Sequence, residues 1–156
     1  MDITAAINRD FLARHTRILC TSYQHWTGLR LIDAAADSAE AVQQLLNAPY
    51  AVASHDVQPD PVFNYANKPA LELFGMGWEE FTRLPSRYSA EPVARAARVQ
   101  LLQRVAQDGY VDDYSGVRIA KNGRRFMIDN ALVWNLMDET GVRCGQAVII
   151  RQWSAL

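Results

Sequence analysis

The sequence holds little of what most site chemistries require. Two cysteines, Cys20 and Cys144, stand far apart in 156 residues and form no Cys-x-x-Cys pair. They set up neither a disulfide framework nor a thiolate zinc site, and they suit a reducing compartment. No long basic run occurs: 16 Lys and Arg are balanced by 17 Asp and Glu, and Arg95, Arg98 and Arg104 are spread along one segment. A net charge of −1 argues against a binder that works by phosphate neutralisation. The four tryptophans are dispersed without interleaved Lys or Arg, a poor fit to single-strand stacking. No apolar run, Ala147 to Ile150 included, is longer than four residues, far short of a membrane span. Met1-Asp2-Ile3-Thr4 opens neither the basic nor the apolar region of a signal peptide. These absences lead us to expect a cytoplasmic protein with no nucleic-acid and no membrane partner.

What is present suffices for one folded domain. The composition is 49% hydrophobic and 21% charged, and a chain of this length buries roughly 70% of the surface its unfolded form exposes. Phe11, Leu12, Ile18, Leu19, Tyr23 and Trp26 line one face at helical period, with Gly28 beyond them as a C-cap. Asp37 and Glu40 have the spacing of a capping box ahead of Val42, Leu45 and Leu46, and Pro49 stops that second helix. The pattern changes at Tyr50. Tyr50 to His55 and Val62 to Ala66 read as short strands around a loop with two prolines. Pro69 to Phe74, with Asn67 as N-cap, and Trp78 to Leu84 read as short helices. Pro92 to Gln107 reads as an amphipathic helix with Ala94, Ala97, Leu101, Leu102 and Val105 on one face.

Three closing strands come next: Tyr110 to Ala120, Arg124 to Met137 and Val142 to Trp153. The Asn122-Gly123 step between the first two is a strong hairpin signal. The predicted architecture is α+β, a five-stranded antiparallel sheet with short helices over one face. A helical extension over residues 1–49 precedes this domain of residues 50–156.

The order of two strands, a few short helices and three closing strands resembles the plan of PAS domains, where an N-terminal helix often serves as a dimer contact. Particular residues narrow the resemblance. Pro61-Val62-Phe63-Asn64-Tyr65-Ala66-Asn67 and Leu84-Pro85-Ser86-Arg87-Tyr88-Ser89-Ala90-Glu91-Pro92 are similar to the MEKHLA domain family. So are Tyr114-Ser115-Gly116-Val117-Arg118-Ile119, Val133-Trp134-Asn135 and the closing Gln152-Trp153-Ser154. That PAS-like family occurs as stand-alone bacterial proteins and in the C-terminal region of plant class III homeodomain leucine-zipper proteins. The Met-Glu-Lys-His-Leu-Ala string of the plant branch is missing, as are a homeodomain and a zipper. The resemblance therefore implies a fold and a sensory or binding character, and function must come from a site.

PAS relatives hold haem, flavin, small metabolites or nothing. The helix Pro92 to Gln107 has no haem-type His, and Arg83 to Glu91 has no flavin-adduct Cys, so the resemblance implies neither haem nor a photoactive flavin. An unknown small molecule remains open, and no metal is expected. His15 shares the apolar face of Phe11, Ile18 and Leu19 and reads as a core or interface histidine; it lies too far from His25 for i,i+4 chelation. His55 beside Asp56 and Asp60 reads as a solvated turn residue, with a weak metal or acid–base site as the alternative.

The segment Ser86 to Glu91 falls where PAS domains open onto their internal cavity. Arg87 offers a planar fork for a carboxylate and Tyr88 an aromatic wall. The alternative is an internal latch, with Arg87 paired to Asp112 or Asp113 and Ser89 capping the next helix near Glu91. Strand alternation with Val111, Val117 and Ile119 turns Asp113 and Ser115 inward. Asn130 shares a face with Phe126, Ile128, Leu132 and Trp134, and Gln146 shares one with Val148 and Ile150. A bulge near Gly116 would reverse half of that strand. The candidate ligand-binding residues are thus Arg87, Tyr88, Asp113, Ser115, Asn130, Trp134 and Gln146, with Trp134 also reading as a sheet aromatic.

Three functions compete. The first is a PAS-like sensory or binding module without an output domain of its own. It would act through a small ligand, a homodimer or a protein partner, with Phe11, His15, Ile18, Leu19, Tyr23 and Trp26 as the contact. The second is a cone-shaped α+β enzyme using Asp113, Tyr114 and Tyr88 for proton transfer, which needs acids with separated pKa values in an apolar pocket. The third is a heterodimerisation domain whose pocket its own side chains fill.

Overall fold

Hydrophobic periodicity and caps account for the elements of the computed structural model, which describes residues 7–90 and 95–156. Helix α1 (Arg9–Thr27) starts where Asn8 Oδ1 accepts from the Phe11 amide at 3.0 Å and stops at Gly28, in the left-handed region at φ 74°. Helix α2 (Ala39–Leu46) is capped by Ser38, whose Oγ accepts from the Ala41 amide at 3.2 Å; the hydroxyl one residue on takes the place expected for Asp37. Strands β1 (Ala51–His55) and β2 (Phe63–Ala66) are followed by α3 (Lys68–Phe74), α4 (Trp78–Phe81) and a 3₁₀ turn, Ser86–Ser89. Helix α5 (Arg95–Asp108) comes next, then β3 (Tyr110–Ile119), β4 (Arg125–Met137), β5 (Arg143–Ile150) and β6 (Gln152–Ala155). Glu91, Pro92 and Ala94, which the sequence placed at the start of the long helix, lie outside the described residues.

The sheet is antiparallel with order β2-β1-β5-β4-β3. The expected last strand is broken at Arg151, so five strands become six. Both pieces stay on the same edge of β4 in unbroken register, Leu132 opposite Ile149 and Asp129 opposite Gln152. Trp153, at the end of that expected strand, is 40% exposed on β6.

Helices cover both faces. On one, Leu12, Ile18, Leu19 and Tyr23 of α1 and Leu45 of α2 pack against Val52, Tyr65, Trp134 and Ile149. On the other, Phe63, Phe74, Phe81, Phe126, Ile128 and Ile150 form one cluster, and Leu101, Val105, Val111 and Val133 form another beneath α5. The N-terminal extension thus shares a core with the sheet. The α1 stripe expected to serve as the dimer or partner contact is mostly inside: His15, Ile18, Leu19 and Tyr23 are buried, Trp26 is half-buried, and Phe11 is 36% exposed. A sheet with two apolar faces needs two covers, and the short helices supply only one.

Side-chain facing on β3 and β4 departs from simple alternation. Val111 pairs with Val133, Tyr114 with Ala131, and Gly116 with Ile128. Three steps on β3 therefore match two on β4, and the excess reverses in the next interval. One bulge lies at Asp112–Asp113 and a compensating one at Asp129–Asn130, where Asn130 takes φ 50°. Each inserted residue flips the facing of the strand residues beyond it.

Candidate functional site

Between α5 and the inner face of the sheet lies a cavity of about 50 Å³. Phe63, Phe74, Ile128, Val148 and Ile150 give it apolar walls. Its polar lining comes from Arg98 on α5, Arg118 and Tyr114 on β3, His55 on β1, Gln146 on β5 and Ser89 of the 3₁₀ turn.

The bulge at Asp112–Asp113 creates this lining, because it turns Tyr114, Gly116 and Arg118 inward. The Tyr114 ring lies across Gly116, where a Cβ would meet its hydroxyl at 2.7 Å, and the Arg118 guanidinium sits 5.1 Å from the ring centroid. Arg118 has no hydrogen-bond or ion-pair partner among the described residues. Arg98 is likewise buried and donates to Ser86 Oγ, while Ser89 Oγ donates to the Ser86 carbonyl at 2.7 Å. Burial, and then the neighbouring Arg118, lower the Arg98 pKa to about 10; burial lowers that of Arg118 as well. Among the described residues no carboxylate lines the cavity.

His55 is buried rather than solvated, because Ala51, Ala53 and His55 alternate onto the inner face. Its Nδ1 lies 2.8 Å from the Asp56 carbonyl, which marks Nδ1 as the protonated nitrogen, and Nε2 has no partner among the described residues. Burial holds its pKa down to about 4, so the ring is neutral. On the opposite sheet face His15 Nε2 meets Ser54 Oγ at 2.8 Å, a core histidine with a single hydrogen bond.

The cavity shares His55, Arg98, Leu102 and Gln146 with an outer cleft of about 400 Å³ under the Asp56–Pro61 loop. Arg87 lies on that cleft, on the surface, with its Nε 3.0 Å from Asp60 Oδ1. It is an outer latch, with Asp60 taking the place expected for Asp112 or Asp113. Tyr88 is 45% exposed beneath the Arg87 guanidinium, 4.3 Å from ring centroid to Cζ. In a 3₁₀ turn residues i and i+3 eclipse, so Ser86 and Ser89 go inside together and Arg87 and Tyr88 go out.

Of the other candidates, Gln146 lines the cavity. Asp113 is exposed and 3.7 Å from Arg104. Ser115 and Asn130 meet at the surface, where Ser115 Oγ accepts from the Asn130 amide at 3.1 Å. Trp134 lies on the opposite face, fully buried, its ring 5.2 Å from that of Tyr23. Alternation read without the two bulges put Asp113, Ser115 and Asn130 on the wrong side. It also missed Arg98 and Arg118, which as arginines read as surface residues. The enzyme reading loses its acid with Asp113. Among the described residues no three His, Cys, Asp or Glu side chains lie close enough to share a metal ion, and no helix is long and apolar enough to cross a membrane.

A five-stranded antiparallel path, short helices and a long helix enclosing an inner cavity together define a PAS-like domain. The fold is similar to the PAS domain of a protein from Colwellia psychrerythraea, with TM-score 0.61, 17% identity and coverage of 72% of this chain and 93% of that one. It is also similar to the light-state dimer of the fungal blue-light photoreceptor Vivid, with TM-score 0.60, 16% identity and coverage of 93% and 95%. The sequence matches the MEKHLA domain over residues 13–155, and the chain belongs to that family. The homeobox-leucine zipper protein HOX9 of Oryza sativa subsp. indica is 26% identical over 130 residues, which is 82% of this chain. The chain spans only 16% of the length of that curated relative.

Light-oxygen-voltage domains share the fold, which makes flavin the group to test. The site does not fit one. Ligand pockets of drug size run to roughly 300–1,000 Å³, against about 50 Å³ here, and neither Cys20 nor Cys144 lines the cavity.

Proposed function

We propose that this domain is a sensory module that binds a small molecule in the cavity beneath α5 and conveys its occupancy to a partner. One observation carries this reading: Arg98 and Arg118 are buried against a cavity to which no described carboxylate contributes. A domain whose interior served only as packing would be as stable, or more so, with apolar side chains at those positions. Native mass spectrometry of protein purified from its own host, set against the denatured mass, tests the proposal. A retained small mass supports it. A native mass equal to that of the polypeptide, with no small molecule raising the melting temperature, supports a packed docking domain instead.

Docking through α1 is the second reading. Phe11, stacked on His15 at 5.1 Å and edge-on to Trp78 at 6.4 Å, leaves an aromatic edge in solvent at the start of that helix. A solution mass that stays monomeric at all concentrations would remove the homodimer.

A further inference from the structure

The geometry points to a small organic carboxylate as the ligand, its head group between Arg98 and Arg118 in the inner cavity and its remainder directed toward the outer cleft. This rests on the cavity being a binding site and adds the chemical class.

Charge comes first. Two arginines, each more than nine-tenths buried, line one cavity, and among the described residues the Arg118 guanidinium has no partner but the face of Tyr114. Buried charge is retained at a cost unless paired, and the nearby Asp60 is held by Arg87 on the surface. An anion supplies the missing partner. Shape and polarity then select among anions. A planar carboxylate matches a guanidinium fork with two parallel hydrogen bonds. A phosphate would bring four oxygens into a space of about 50 Å³ walled by Phe63, Phe74, Ile128 and Ile150. With a water's share of liquid volume at about 30 Å³, the inner cavity takes a carboxylate head and little more. Longer ligands extend past Leu102 and Gln146, which the cavity and the cleft share.

His55 refines the class. With Nδ1–H directed to the Asp56 carbonyl, Nε2 presents an unpaired acceptor at the cavity wall. A hydroxyl on the ligand would donate to it, so a 2-hydroxy acid binds more tightly than its parent acid.

Titrations with sodium propanoate, lactate, phosphate and chloride at matched ionic strength, read by calorimetry and by melting temperature, test this. The expected result is saturable binding of propanoate and lactate, lactate the tighter, with phosphate and chloride inert. Arg118→Met should weaken lactate by about tenfold or more while melting no lower than the parent without ligand. Arg104→Ala, on the exposed face of α5, should bind as the parent does. If Arg118→Met fails to fold, Arg118→Lys, which keeps the charge and loses the fork, should still weaken binding. Phosphate binding with carboxylates inert would overturn the proposal, as would lactate binding that Arg118 variants leave unchanged. A retained host molecule that is not an acid would overturn the carboxylate while leaving the sensory reading intact. No retained mass and no response to any compound would remove both.

Discussion

Gln146 Nε2 donates to Asn135 Oδ1 at 3.1 Å, joining two residues that face each other across β4 and β5, and both side chains reach the backbone of α5. Gln146 Nε2 also reaches the Leu102 carbonyl at 3.2 Å, and Asn135 Nδ2 donates to that of Val105 at 2.9 Å. From the other face, Trp26 Nε1 of α1 donates to the Asn135 carbonyl at 3.0 Å. Asn135 thus touches both covers of the sheet, the one over the cavity and the one formed by α1. It is a hydrogen-bonded link between α5 and the N-terminal helix.

Asn135→Leu should therefore destabilise the domain by about 1–3 kcal/mol, because it removes one of the two acceptors of the buried Gln146 amide as well as losing its own bonds. The check is urea denaturation, with a lower midpoint and an unchanged slope. A midpoint equal to the parent's would show that the link contributes nothing.

Acid should unfold the protein through two histidines. Burial, aided by the charge of Arg14, holds His15 down to about 4 from 6.5, and burial does the same to His55. In the unfolded chain both take up protons near 6.5, so from there down to about 4 the unfolded state binds more protons and stability falls with pH. Each histidine should cost about 2 kcal/mol between pH 7 and pH 5. Denaturant midpoints at those two pH values measure the sum, and His15→Gln should remove about half of the difference. Equal stability at both values would contradict buried neutral rings.

Two glycines separate close approach from mere presence. A Cβ on Gly145 would meet the His55 backbone oxygen at 2.4 Å, where β5 lies against β1 at the cavity's edge. Gly77 has φ −81° and nothing within 4 Å of its Cβ position. Gly145→Ala should cost about 1–3 kcal/mol, since backbone cannot yield as a side chain does, and Gly77→Ala should stay within about 0.5 kcal/mol of the parent. Melting curves of the pair decide it.

Most of the fold is legible in the sequence, because its signals are local. Helical period, Asn67 and Gly28 as caps, and the Asn122-Gly123 turn each act within a few residues. The site is legible only in part. The segment Ser86 to Ser89 borders the cavity, but which of its residues turn inward depends on a three-residue turn that composition does not announce. On β3, a single extra residue near Asp112 exchanges Asp113 and Ser115 for Tyr114 and Arg118. Nothing local fixes that bulge except the compensating one at Asn130 across the strand pair, whose positive φ Asn tolerates better than most residues. Arginines 20 residues apart in sequence, Arg98 and Arg118, converge only once the helix lies on the sheet.

The α1 face offers a test in which removing an atom should help. The Tyr65 hydroxyl is fully buried and has no hydrogen-bond partner among the described residues, and burial raises its pKa. Its ring is held independently, 5.5 Å from that of His15 and edge-on to Trp78 at 5.7 Å. Tyr65→Phe keeps those contacts and deletes an oxygen whose desolvation nothing offsets, so stability should rise by about 1 kcal/mol. For a domain of this size that is a gain of about 2–4 °C in melting temperature. A fall instead would mean that the hydroxyl is bonded to a buried water between α1 and the sheet, a result that solvent-isotope-edited NMR of the Tyr65 hydroxyl proton would then locate.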